Sequence, residues 1–386
     1  MKRADWNVLI CVLTSAVLVS CGTPGVPIPP SLELVKEVSD LRAARKGDRV
    51  YLAWTVPTKT TERLPVKHRG PTRICRNLGT DIVDCSSPIA EVPANQFPVP
   101  GPEPQKAGEP APKVEASYVD ALSPALQTQN PTALLHYAVA VLNESGRSAG
   151  WSNQVNIPSA PTLPPPGHFT AKVGKEGVLL AWDCPAEAAP TGANPALGHR
   201  LRIYRREQGE KTDTKISERN FADCSLSQPS AQVDDQADRA PQFLDQTFEW
   251  EKHYDYRATV LTVVSETGNA EAEVEGDDSP VVQVFAHDIF PPAVPAGLQA
   301  VFSGAGQAPF VDLVWSPDSE ADLAGYNIFR HEEASQPVKL NSAPVKTPAY
   351  RDTDVQSGKR YFYSVSAVDE RTNESARSEE ASEQVP

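Results

Sequence analysis

Three times in this chain an aliphatic residue, a leucine and a tryptophan occupy alternate positions, and a proline closes the run. They are Val50, Leu52, Trp54 and Pro57, then Val178, Leu180, Trp182 and Pro185, then Val311, Leu313, Trp315 and Pro317. A period of two places the three apolar side chains on one face of a strand, and proline, lacking an amide donor, stops the ladder. A strand with one apolar face must bury it against a second layer, so the repeat predicts several small β-cores in series. The length of 386 residues fits two to four domains.

Each repeat continues alike. A basic-flanked strand follows, at Arg73-Ile74-Cys75-Arg76, Arg202-Ile203-Tyr204-Arg205 and Tyr326-Asn327-Ile328-Phe329-Arg330. Next an aromatic stands two residues before an aspartate: Tyr118 and Asp120, Phe243 and Asp245, Tyr350 and Asp352. Last come alternating strands led by Tyr137, Tyr256 and Tyr363, with the pattern of half-buried antiparallel strands. This order of elements resembles fibronectin type III modules, most clearly over Trp315-Ser316-Pro317, Asp322-Leu323-Ala324-Gly325-Tyr326 and Tyr363-Ser364-Val365-Ser366-Ala367-Val368-Asp369. Asn143-Glu144-Ser145 in the first repeat looks like the counterpart of Asn373-Glu374-Ser375 in the third. The resemblance implies an all-β chain of three tandem β-sandwiches. It also implies that Trp54, Trp182 and Trp315 pack between two sheets, and that Tyr137, Tyr256 and Tyr363 sit at corners with their hydroxyls on backbone. Such modules serve many unrelated roles, so the resemblance leaves function open.

Proline-rich punctuation sets the expected boundaries. Residues 21–34 form a tether, 35–158 the first module with a proline-rich insertion at 87–112, 159–290 the second with insertions of its own, and 291–386 the third. The prolines of 87–112 predict a polyproline-like loop without strand or helix. Polar insertions are expected at Pro185 to Leu197 and Gln208 to Arg239.

Residues 1–20 read as a signal peptide. Lys2 and Arg3 precede a thirteen-residue apolar run from Val8 to Ser20, and a helix of that length, about 20 Å, is too short for a bilayer core. Leu18-Val19-Ser20-Cys21 resembles the lipobox of bacterial lipoproteins, which implies that Cys21 is lipidated and begins the mature chain. An ordinary secretory signal with a coincidental cysteine is the alternative. Gly22 stands where inner-membrane lipoproteins usually carry Asp, so the resemblance favours the outer membrane.

Four cysteines remain, Cys75 and Cys85 in the first module and Cys184 and Cys224 in the second. An exported chain with an even number per module predicts two intradomain disulfides, with free buried thiols as the alternative; the spacings do not suit zinc. Gly146-Arg147-Ser148-Ala149-Gly150 matches a nucleophile elbow in letters but lacks the strand-to-helix context, and reads as a hairpin turn. Lys46-Gly47-Asp48 reads likewise as a turn. The seven histidines are dispersed, and Asp234-Asp235 and Asp277-Asp278 lack calcium-loop spacing. No catalytic residue, metal or cofactor is therefore expected.

A net charge of −14 argues against nucleic acid as a partner. The excess is distal, with 12 basic and 22 acidic residues over 159–290 but 14 and 13 over 21–158. In the first module Arg42, Arg45, Lys46 and Arg49 crowd one hairpin, which reads first as a solvated strand edge guarded by charge and, as the alternative, as a seat near anionic headgroups. The leading expectation is a lipid-anchored envelope protein, held to the membrane through Cys21, that displays sandwich modules to a protein partner. The alternative is a carbohydrate-binding accessory of a surface glycan-processing system, for which Trp151 and Trp250 are the candidate platforms.

Overall fold

A computed structural model describes residues 32–98, 113–183, 196–220, 241–265, 271–303, 306 and 308–386. The expectations for residues 1–20, for lipidation of Cys21 and for a Cys184–Cys224 bridge lie outside the described residues. Among the described residues the regular structure is strand, apart from the short helix Pro124–Gln129 and a 3-10 turn at Ala94–Gln96. No helix among them is long and apolar enough to cross a membrane.

The chain divides into two compact units. One comprises Met1–Thr162, Asn194–Gly198 and Thr262–Glu275; the other comprises Leu163–Ala193, His199–Leu261 and Gly276–Pro386. In the first, Arg42–Lys46, Arg49–Thr55 and Glu115–Ala121 pair antiparallel, with Leu52 opposite both Ala43 and Tyr118. Facing them is a four-stranded sheet in the order Ala90–Val92, Arg69–Leu78, Leu134–Asn143, Val155–Pro158. The alternation of Arg49–Thr55 explains the core: Val50, Leu52 and Trp54 point inward and are buried, while Arg49 and Tyr51 face solvent. Leu134–Asn143 is buried on both faces. Its outer face is covered by a small second cluster in which Cys75, Ile82 and Ala138 pack with Cys85 and Trp151.

The second unit repeats the plan twice. Gly167–Gly174, Gly177–Asp183 and Gln242–Asp245 make a three-stranded sheet. The partner strands are Thr214–Asn220, Leu197–Glu207, His253–Val264 and Val282–Phe285. Trp182, Leu201, Ile203, Tyr256 and Val260 form the core between them. In the third sandwich Gln299–Ser303, Phe310–Val314 and Ala349–Asp352 make a three-stranded sheet. Val338–Lys339, Leu323–Glu332, Arg360–Asp369 and Ala381–Gln384 make a four-stranded one. Trp315, Tyr326, Ile328 and Tyr363 lie between them. Three strands against four is the fibronectin type III-like arrangement.

Two insertion expectations need correction. Within 87–112, Ala90–Val92 is a strand, with Val92 opposite Thr72 and buried in the core. Its flanking Pro88 and Pro93 stand outside a three-residue edge strand, where a missing donor costs no ladder bond. Within Gln208 to Arg239, Thr214–Asn220 is a strand on Leu197–Glu207, its almost wholly polar sequence suiting a sheet edge. Residues 99–112, 184–195 and 221–240 lie outside the described residues.

Candidate functional site

The three recurring signatures of the sequence, basic strand, aspartate and tyrosine, meet inside each sandwich. In the first, Tyr137 donates its hydroxyl to Asp120 Oδ2 at 2.7 Å and Arg76 Nη1 reaches the same oxygen at 2.6 Å. In the second, Tyr256 and Arg205 converge on Asp245 Oδ2 at 2.9 and 2.7 Å. In the third, Tyr363 and Arg330 converge on Asp352 Oδ2 at 2.9 and 2.8 Å. The tyrosines are fully buried and the aspartates nearly so, so each carboxylate exchanges water for a charge-assisted pair.

Burial, and then the neighbouring carboxylate, push all three phenols far above the ordinary tyrosine range. Burial works against the charge of Asp245, but the hydroxyl and amide of Thr247, then Arg205 and Tyr256, hold it below the usual aspartate value. Shifts in these directions keep the three phenols protonated and Asp245 ionised at neutral pH, which suits a structural frame.

The tyrosine expectation is corrected in one respect: the hydroxyls of Tyr137, Tyr256 and Tyr363 bond carboxylates. The corner role belongs to the tyrosine two positions earlier on the same strand. Tyr254 accepts from the amide of Glu249 at 3.0 Å and Tyr361 from that of Gln356 at 3.1 Å, each five residues upstream. The guanidiniums of Arg205 and Arg330 lie 5.0 and 5.1 Å from these same rings. In the first sandwich Leu135 takes that place. Trp54, Trp182 and Trp315 are buried, at 1, 3 and 5% exposure.

Sequence reading also missed a serine repeat. Ser152, Ser279 and Ser378 each hold the amide of the residue two after the triad tyrosine, Val139, Ala258 and Val365, through Oγ at 3.0 to 3.1 Å. Asn143 corresponds to Asp369 and not to Asn373: both end the strand six residues after the tyrosine, and both cap the next turn by accepting amides two and four residues on. Gly146 to Gly150 lies in the first of these turns.

Cys75 and Cys85 form a disulfide, with Cα atoms 6.1 Å apart. Trp151 is half-buried beside it, and Trp250 packs edge-on to Phe248 at 4.7 Å, so neither is an open platform. The basic hairpin disperses. Arg42 pairs with Glu115, Lys46 with Glu275 at 2.9 Å, and Arg49 stands 3.8 Å from Asp48. Arg45 turns inward to the carbonyls of Pro158 and Ala160 and to Gln127, and burial lowers it to about 10, still protonated at neutral pH.

Within the second unit, the segment between its two sandwiches is fastened on two sides. Lys175 Nζ bonds Pro291 O at 3.2 Å and Glu320 at 2.8 Å, and Glu320 accepts from the amide of Ala293. Opposite, Arg371 pairs with Glu251 at 3.1 Å and Asp288 at 3.6 Å, and Asn373 donates to Asp288 O. Glu251 also takes His287 Nδ1 at 3.0 Å and sits at φ 62°, a left-handed conformation uncommon outside glycine.

Carboxylate oxygens of Asp288, Asp322 and Asp369 lie within 4.8 Å of one another there, a hard-oxygen set that sequence spacing could not reveal. Asp369 is occupied by two amides and Asn373, and Arg371 already stands beside Asp288. Of the three, Asp369 thus serves as a cap and Asp288 as an ion-pair partner.

No family model matches the chain. A segment of 91 residues is 38% identical to an amylopullulanase of Thermoanaerobacterium saccharolyticum, covering 24% of this chain and 7% of that protein. Another, of 94 residues, is 34% identical to the amylopullulanase of Thermoanaerobacterium thermosulfurigenes, covering 24% and 5%. The chain thus spans less than a tenth of the curated relatives it matches. Among solved structures it is similar to an Fn3-like protein from Clostridium thermocellum, 31% identical over 25% of this chain and 96% of that one, TM-score 0.22. It is also similar to the FN1-FN3 domains of chicken CNTN1, 11% identical over 90% and 99%, TM-score 0.25.

Proposed function

We propose that this chain is a lipid-anchored envelope protein that works by contact, presenting fibronectin type III-like sandwiches to a protein partner. The observation that carries the reading is the use made of the buried polar groups. In each sandwich the Tyr, Asp and Arg of the recurring sequence signatures are committed to one another in the same framework triad. That shared use supports a framework role for the repeated polar groups and a function carried by the surface. The lipobox-like Leu18 to Cys21 supports attachment, and the acidic balance of residues 159–386 supports projection away from anionic lipid.

A second reading, an accessory of glycan processing, is favoured by the segment shared with the amylopullulanases. Fractionation of cells making the native or the Cys21→Ser chain tests the anchor: the native chain is expected in the membrane fraction and the variant in the soluble one. Retention of the purified chain on insoluble starch would favour the glycan reading over the protein one.

A further inference from the structure

Resting on the anchored reading, the geometry points to a lipid-facing end of the first sandwich. We infer that the tip formed by residues 57–68 seats on an anionic phospholipid surface, with Leu64 as its apolar contact and Lys59, Arg63 and Lys67 as its charged ones.

The strand Arg49–Thr55 runs from the Gly47-Asp48 turn to this tip, so the two lie at opposite ends of the sandwich, about 20 Å apart. The described chain enters at the tip end. Val35 bridges Thr60, the amide of Lys36 donates to Lys59 O at 3.0 Å, and that of Thr61 to Leu34 O at 3.0 Å. Asn143 ties the strand end on the same side to Leu32 O at 2.9 Å. Cys21 precedes Leu32 by eleven positions, which bounds its reach to about 40 Å of extended chain. A lipid on Cys21 therefore tethers the sandwich from the tip end, the end farther from the basic hairpin.

The tip is built to keep an apolar group in solvent. Thr60 N bonds Leu64 O at 2.8 Å, Arg63 N bonds Thr60 O at 2.9 Å, and Leu64 N bonds Thr60 Oγ1 at 3.2 Å. Arg63 is held at φ 65°, and Leu64 is 53% exposed. A lone exposed leucine needs no explanation. Here it sits among cations that the rest of the sandwich does not use.

Lys59, Arg63 and Lys67 have no carboxylate partner among the described residues, whereas Arg42, Lys46, Arg73 and Arg76 each have one. Glu62 is the one acidic residue of 57–68. Glu144 stands 3.3 Å from His68 Nδ1, so the tip carries Lys59, Arg63 and Lys67 against Glu62 and Glu144. An exposed leucine with an excess of cations complements an anionic headgroup layer, where each basic group and a buried leucine both add affinity.

Flotation of the Cys21→Ser chain with vesicles isolates the seat from the anchor. Binding is expected on phosphatidylcholine vesicles containing about one third phosphatidylglycerol, not on phosphatidylcholine alone, and it should weaken with salt. Leu64→Asp and, separately, Lys67→Glu should each lower it about tenfold. Both positions are exposed, and unchanged thermal unfolding would show that both variants fold. Equal flotation on the two vesicle types, or equal binding by wild type and both variants, overturns the inference. The anchor fails on a separate result, equal membrane partitioning of the native and Cys21→Ser chains in cells.

Discussion

The hydroxyl of Tyr363 and the guanidinium of Arg330 share a single oxygen of Asp352, at 2.9 and 2.8 Å, although the three residues come from three strands in two facing sheets. The shared oxygen ties Leu323–Glu332 and Arg360–Asp369 in one sheet to Ala349–Asp352 in the other. Because the carboxylate is nearly fully buried, removing a partner leaves charge without compensation, while removing a neutral hydroxyl leaves the ion pair intact.

Tyr363→Phe should therefore destabilise the third sandwich by about 1 kcal/mol, and Arg330→Met by about 3 to 5 kcal/mol. Denaturant unfolding followed by tryptophan fluorescence measures both. Equal costs for the two would mean that the ion pair ties the sheets no more strongly than the hydroxyl does.

Asp245 gives the second sandwich an acid limit. Its folded pKa lies below its unfolded one, so its stabilisation is complete above the unfolded value of about 4 and is lost as pH falls through the folded value. Asp245→Asn should be less stable at neutral pH and lose less stability between about pH 5 and 2. Parallel pH profiles for the two chains would contradict this.

The Cys75–Cys85 bridge closes a short loop over the outer face of Leu134–Asn143. The double variant Cys75→Ser, Cys85→Ser should lose about 2 kcal/mol from the first unit and become sensitive to proteolysis near Ile82. The same protease pattern with and without the bridge would show that Trp151 and Ile82 hold the loop unaided.

Arg371 and Lys175 fasten the second sandwich to the third from two sides. Calorimetry of the full chain should show these two sandwiches melting together, and Arg371→Ala with Lys175→Ala should separate them into two transitions. Separate transitions in the unaltered chain would show that the fastening adds no cooperativity.

Much of this frame was legible because it repeats. The Val-x-Leu-x-Trp strands, the aspartate two after an aromatic and the tyrosine-led strands could be read from periodicity. That the three meet could not, because Arg76, Asp120 and Tyr137 are brought together across two sheets by pairing and not by spacing. The corner tyrosines Tyr254 and Tyr361 were passed over because the first repeat has Leu135 in their place. Charge is arranged differently in space than along the sequence. Four cations crowded in sequence around Gly47 are separated by alternation along the two strands, while Lys59, Arg63 and Lys67 are gathered by a turn that only the backbone reveals. The strand Ala90–Val92 stayed hidden among prolines, since three paired residues leave too weak a period to read.

Photo-crosslinking in intact cells, from probes at the exposed positions Val301 and Val314 of the third sandwich and Val119 of the first, tests the central claim most directly. An anchored display protein should give a discrete crosslinked protein from the third-sandwich probes, absent from Val119 and lost when Cys21→Ser releases the chain from the membrane. Crosslinks that persist unchanged in the Cys21→Ser chain, or that arise at Val119 and at neither distal probe, would contradict it.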